Sequence, residues 1–159
     1  FLNLFCYTGS ATVYAASGGA ASTTSVDMSG TYLDWAKRNM DLNSLRGPEH
    51  RYHRADVLKW IGRQKTQYGL VFLDPPTYSR SKTMEGDFDI QRDHVPLIRD
   101  TVRLLAPGGT LIFSTNRRKF NFEKEELDGL EITDITEATI PEDFKRRPEI
   151  HKCYKIRAQ

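Results

Sequence analysis

A chain of 159 residues, 38% of them hydrophobic, is long enough to bury one sizeable core and is expected to form a single domain. Its formal net charge of +2 is too small to indicate a nucleic-acid partner by itself, so any such argument rests on where the charges cluster. No apolar run approaches the roughly 20 residues of a membrane span and no signal-peptide pattern is present, so a soluble, cytoplasmic protein with no membrane contact is expected.

Strand and helix patterns alternate from the first residue. Phe1–Phe5 reads as a strand, and Ser10–Ser17, rich in Ala, as a helix closed by Gly18-Gly19. Thr23–Asp27 is a β-rich second strand. Ser29 can cap the next helix, in which Leu33, Ala36 and Met40 recur at helical spacing. Arg51–Ala55 is a weak third strand, and Asp56 heads a helix that turns Leu58 and Ile61 inward. Residues 69–73 form the fourth strand. Asp89–Leu105 is largely helical, with Pro96 marking a kink or a fresh start, and Pro107-Gly108-Gly109 ends it. A fifth strand over Leu111–Phe113 closes at Ser114-Thr115-Asn116. A short acidic helix (Glu123–Leu127), a sixth strand (Leu130–Ile135) and a last strand (Lys152–Arg157) complete the pattern.

Repeated βα units imply an α/β fold: a doubly wound, mostly parallel seven-stranded Rossmann-like sheet with helices on both faces. The last two strands lack an intervening helix long enough for a parallel crossover, so the final strand is expected to run antiparallel. Cys6 and Cys153 form neither a disulfide framework nor a metal-ligand cluster, and read as buried thiols with no metal site. Phe1 already lies inside a strand pattern, so the chain is expected to be a piece of a longer polypeptide.

The most telling stretch is Gly69-Leu70-Val71-Phe72-Leu73-Asp74-Pro75-Pro76-Thr77-Tyr78. Four apolar residues between Gly and Asp-Pro suit a strand buried on both faces. Asp74 then stands at its carboxyl end, where open α/β sheets bind ligands. Pro75 and Pro76 hold the next backbone extended and donate no N–H, which sets Asp74 and Tyr78 at the rim of the sheet. One acceptor beside one flat ring suits a nucleobase held next to a small reactive group.

Taken together, these motifs resemble those of class I S-adenosylmethionine (SAM) dependent methyltransferases. The resemblance is carried by Phe5-Cys6-Tyr7-Thr8-Gly9-Ser10 after the first strand, Val26-Asp27-Met28-Ser29 at the second, Asp56 after the third and Asp74-Pro75-Pro76-Thr77-Tyr78 after the fourth. With Phe88-Asp89-Ile90-Gln91-Arg92-Asp93-His94 and Ile150-His151-Lys152-Cys153, it covers nearly the whole chain and points to the branch that methylates ring nitrogen N7 of a guanine in bacterial 23S ribosomal RNA. The resemblance implies SAM contacts from Tyr7, Thr8 and Gly9, from Asp27 and Met28, from Asp56 and Val57, and from Asp74. It implies a transfer site at Asp74, Pro75, Pro76 and Tyr78. Residues 1–159 would then be the catalytic domain, with the substrate-binding region and a cofactor-contacting hairpin upstream in the same polypeptide.

Each position also has a plainer reading. Gly9 alone is as well explained by a helix-entry turn as by a ligand contact, but Asp27 follows at 27 − 9 = 18 residues, the distance that places a carboxylate on ribose hydroxyls. Asp56 is either an N-cap only or also an acceptor for the adenine amine. Asp74 at a buried strand end would be costly unless paired, which favours a site role. Tyr78 is either a loop aromatic or a stacking platform for the target base. Arg92 and His94 read equally as a solvated helix face or substrate contacts, and His151 is undecided.

Basic residues cluster at Arg80 and Lys82, Arg117-Arg118-Lys119, Lys145-Arg146-Arg147 and His151-Lys152. Three clusters follow the fourth, fifth and sixth strands, with Phe120, Phe122 and Phe144 nearby, the pattern of a phosphate-binding surface with stacking rings. Rival classes are an exocyclic-amine methyltransferase, a cytosine C5 methyltransferase, a nicotinamide dehydrogenase and a non-catalytic RNA-binding module. Thr77 between Pro76 and Tyr78 weakens the first, no cysteine stands at the active rim for the second, and no full G-x-G-x-x-G serves the third.

Overall fold

The computed structural model describes residues 1–80 and 86–158. β1 (Leu2–Leu4), β2 (Thr23–Asp27), β3 (His50–Arg54), β4 (Tyr68–Leu73), β7 (Leu105–Thr115), β8 (Leu130–Asp134) and β9 (Lys152–Ala158) form one seven-stranded sheet in the order β3-β2-β1-β4-β7-β9-β8. The pairs β1–β2, β1–β4, β2–β3 and β4–β7 are parallel, and β9 is antiparallel to both β7 and β8. The sheet is the expected one, reversed last strand included. Helices α1 (Ser10–Ser17), α2 (Gly30–Leu42), α3 (Val57–Arg63) and α4 (Ile90–Val102) flank it, α1 packed with α2 and α3 with α4. A four-residue helix α5 (Thr136–Thr139) follows β8. Among the described residues no helix is long and apolar enough to cross a membrane.

Local chemistry explains most of the elements. The side chain of Ser29 caps α2 by accepting the Tyr32 N–H, and Leu33, Ala36 and Met40 are its buried residues. Asp56 caps α3, which buries Val57, Trp60 and Ile61. The inward face therefore runs at i, i+3, i+4 from Val57, and Leu58, expected inside, is 38% exposed. β3 is an edge strand with Arg51, His53 and Arg54 exposed, a charged border that discourages pairing with another chain.

Three features depart from the sequence reading. Leu70 is 41% exposed and Phe72 is half-buried, so β4 is fully buried only on the face that carries Val71 and Leu73, and not on both faces as expected. Pro107-Gly108-Gly109 lies inside β7 as a bulge rather than ending a helix. From Tyr68↔Leu105 to Leu70↔Thr110, β4 advances two residues while β7 advances five. Gly108 has φ +73°, and a Cβ on Gly109 would lie 2.9 Å from the Tyr68 carbonyl oxygen, so glycine is required at both positions. Between β4 and α4 an unanticipated two-stranded hairpin forms from β5 (Tyr78–Arg80) and β6 (Asp87–Asp89). Arg92 ties it to α4 through Asp87 and Asp93, and Arg117 reaches Asp89 at 3.0 Å.

Candidate active site

The chain runs outward from β1 through β2 to β3, then returns to β4 on the other side of β1. This order reversal opens a crevice at the carboxyl ends of the strands, where doubly wound sheets take ligands. Here it is a cleft of about 610 Å³, within the size range of small-molecule sites. Its walls come from the residues after β1 (Phe5, Tyr7), β2 (Asp27, Met28, Ser29), β3 (Asp56, Val57, Leu58) and β4 (Asp74–Thr77), with Ser79 and Phe88 of the hairpin and Asn116 after β7.

The β1–α1 turn is strained toward the cleft. Phe5 and Tyr7 have φ of 58° and 50°, a region that bulky side chains rarely occupy and that concentrates at functional sites. Gly9, at φ +76°, packs so closely on α2 that a Cβ would lie 2.6 Å from Ala36 Cβ. The turn is held by Asp27, whose Oδ2 accepts the Tyr7 N–H at 3.0 Å while Oδ1 accepts the Ser29 N–H at 2.9 Å. Both carboxylate oxygens are thus oriented and keep lone pairs for hydroxyl donors. Asp56 accepts two α3 amides on Oδ1, which leaves Oδ2 for an incoming donor. Met28 and Val57 line the same cleft beside these carboxylates in sequence.

Asp74 lies deeper. Burial pushes its carboxyl above the ordinary carboxylate range, offset in part by a hydrogen bond from the Ser114 hydroxyl and by the nearby His151. His151 in turn is lowered by burial, and its Nε2 meets Thr139 Oγ1 at 3.1 Å. Register places Ser114 opposite Cys153, so β4, β7 and β9 together build this polar pocket. Burial pushes the Cys6 thiol up to about 12, which leaves it protonated and unsuited to nucleophilic attack on a pyrimidine.

The cleft therefore brings together Tyr7, Asp27, Met28, Asp56, Val57, Asp74, Pro75 and Pro76. Thr8 and Gly9 stand behind it. The Thr8 carbonyl accepts Asn39 Nδ2, and Gly9 serves the close packing of α1 on α2. Tyr78 is 53% exposed and outside the cleft lining, with its hydroxyl bonded to Asp87. Thr77 and Ser79 line the cleft, and the Tyr78 ring stands exposed next to them in the chain. In α4 the burial of His94 overturns both of its readings, solvated face and substrate contact, whereas Arg92 keeps an exposed side chain. His94 is fully buried, with Nδ1 on the Ile90 and Gln91 carbonyls and Nε2 accepting the Glu123 N–H, and Arg92 is engaged with Asp87 and Asp93.

Of the basic clusters, Arg117 is paired with Asp89 and Lys145 with Glu142, while Arg118, Lys119, Arg146 and Arg147 lie at the rim; Lys82 lies outside the described residues. Phe120 and Phe122 are not surface rings. They pack with Phe113 and Tyr154, the Phe122 and Tyr154 rings stacked at 4.0 Å. Asn116, Thr77, Ser79 and Phe88 were not expected at the site, because only the segment after β4, the hairpin and the end of β7 bring them to the cleft.

Comparison with known proteins agrees with this geometry. Residues 1–127 match the family model described as S-adenosylmethionine-dependent methyltransferase. The chain is 60% identical over 156 residues to the ribosomal RNA large subunit methyltransferase K/L of Syntrophotalea carbinolica, and 56% identical over 161 residues to that of Methylococcus capsulatus. It covers 98% and 99% of itself in these matches, yet spans only 22% of either relative's length. Among solved structures, SMU.776 complexed with SAH superposes with a TM-score of 0.82 at 26% identity, over 98% of this chain and 44% of that one. A SAM-dependent methyltransferase from Agrobacterium tumefaciens shares the fold with a TM-score of 0.78 at 22% identity, over 99% of this chain and 55% of that one.

Proposed function

This chain belongs to the S-adenosylmethionine-dependent methyltransferase family, its cofactor is SAM, and on that premise we propose that it methylates ring nitrogen N7 of a guanine in 23S ribosomal RNA. The observation that carries the reading is the row of carboxylates at successive strand ends, Asp27, Asp56 and Asp74, in one cleft. Support for ribosomal RNA comes from relatives 56–60% identical to this chain that are named for it. We take residues 1–159 as the catalytic domain, working in the cytoplasm with substrate-binding domains of the same polypeptide. The relatives' much greater length supports that last point.

The cleft fits the cofactor, since two pre-oriented carboxylates line it together with the apolar Met28 and Val57. Asp27 would hold the ribose hydroxyls and Asp56 the adenine amine, with Met28 and Val57 against the ring. When bound, SAM supplies an electrophilic methyl group on a positively charged sulfur. Guanine N7 attacks with a free lone pair, so no proton has to leave, and positioning alone can lower the barrier by roughly 7–11 kcal/mol. As the reaction proceeds, positive charge moves onto the base and acidifies its N1–H. A carboxylate at Asp74 that accepts this N–H is therefore bound more strongly in the transition state than in the ground state. Pro75 and Pro76 keep that carboxylate at the rim. Guanine N7 is inaccessible in an A-form helix, so the target must be single-stranded or swung out.

The alternative is methylation of an exocyclic amine, for which Asp74 would accept the amine proton. A substrate with 7-deazaguanine at the target separates the two. It is expected to bind without being methylated, because carbon replaces the lone pair; methylation of its amino group would reject N7 and establish the amine reading.

A further inference from the structure

A second groove, of about 550 Å³, lies on the same rim, bordered by Lys119 and Phe120 after β7, Asp134 at the end of β8, Glu137 of α5, and Glu149 and Lys152 at the entry to β9. It lies near the first cleft along the chain. Asn116 lines one and Lys119 the other, at most about 10 Å apart along the chain, and the pairing Thr115↔Lys152 sets Lys152 beside the last residue of β7. Lys119 holds φ +55°, a strained conformation for a side chain of its kind. Arg118, Arg146 and Arg147 are exposed on neighbouring segments, and none of the three forms an ion pair among the described residues.

The groove is built of both charges, which a plain phosphate site would not be. Lysines answer a phosphate, whereas carboxylates accept from hydroxyl and amino donors. Asp134 is already fixed, its Oδ1 accepting the Thr136 N–H at 2.8 Å. One nucleotide unit of RNA carries all these groups, and the 2′-hydroxyl donor is the one that DNA lacks. Resting on the ribosomal RNA reading above, we propose that this groove holds the nucleotide flanking the target guanine in single-stranded RNA. Lys119 and Lys152 bind its phosphate, and Glu137 and Glu149 accept its 2′-hydroxyl and base amino donors.

The test uses the full-length protein with undermodified ribosomal RNA. Lys119→Ala with Lys152→Ala should raise KM for RNA about tenfold and lower the log–log salt slope by about 0.7 for each phosphate that is no longer neutralised. The kcat at saturation, SAM affinity and melting temperature should stay unchanged. A 2′-deoxy substitution at the flanking nucleotide should raise KM for the wild type, while a Glu137→Ala, Glu149→Ala variant should no longer distinguish deoxy from ribose. Unchanged KM and salt slope in the lysine variant, with methylation intact, would overturn the groove assignment alone. A wild-type protein that methylates no ribosomal RNA would overturn the functional reading and the groove with it.

Discussion

Asp27 carries two duties at once. Its carboxylate braces the strained β1–α1 turn through the Tyr7 and Ser29 amides, and its remaining lone pairs face the cleft. Asp27→Ala would orphan both amides and confound binding with folding. Asp27→Asn keeps an acceptor for one of the two amides but sets an NH2 group against the other and removes the charge, so it should weaken SAM binding by about 1.5–3 kcal/mol and lower the melting temperature less than Asp27→Ala does. Calorimetric titration beside a thermal melt checks this; unchanged affinity in the folded variant would rule Asp27 out as the ribose ligand. At Asp74 the same substitution leaves the Ser114 hydroxyl a partner, yet removes the charge proposed to accept from the target base. Asp74→Asn should lower kcat/KM for RNA roughly tenfold to a hundredfold while SAM affinity holds, as single-turnover rates would show.

Among the elements, α4 is anchored by His94, a residue that the sequence left equally between a solvated face and a substrate contact. The ring donates from Nδ1 to the preceding turn of its own helix and accepts the Glu123 N–H at Nε2, 3.2 Å away, while its edge meets Phe120. His94→Leu fills the space but strands the Glu123 amide, a loss of about 1–3 kcal/mol. For a domain of this size that is about 2–4 °C in melting temperature per kcal/mol, with steady-state methylation unaffected below the transition. The β5–β6 hairpin is positioned differently, by Arg92 on Asp87 and Asp93 and by Arg117 on Asp89. Such partly exposed pairs add little to global stability, so their effect is to aim Ser79 and Phe88 at the cleft.

At the scale of the whole molecule, the site sets stability against function. Because burial raises the Asp74 pKa, the folded chain holds that proton more tightly than the unfolded chain does. The stability contributed by this group is therefore full at pH below the ordinary carboxylate range, and is lost as pH rises through the raised folded value. Asp74→Asn has no such loss. Its melting temperature should exceed that of the wild type at neutral pH, and the gap should close on acidification. A gap that widens toward acid would mean that Asp74 is stabilised as the anion by its partners, Ser114 and His151.

Much of the fold could be read directly from the chain. Apolar alternation with caps at Ser29 and Asp56 marked the βα units, the short span before Lys152 set the reversed last strand, and Asp27, Asp56 and Asp74 announced themselves at strand ends, because these are local consequences of hydrogen bonding and period. The burial of His94, the exposure of Tyr78, the glycine bulge in β7 and the inward packing of Phe120 and Phe122 were decided only in three dimensions. Each depends on which neighbour a side chain meets across the sheet, and a one-residue change of face in a strand, or a single buried amide seeking a partner, carries no signature in the local sequence.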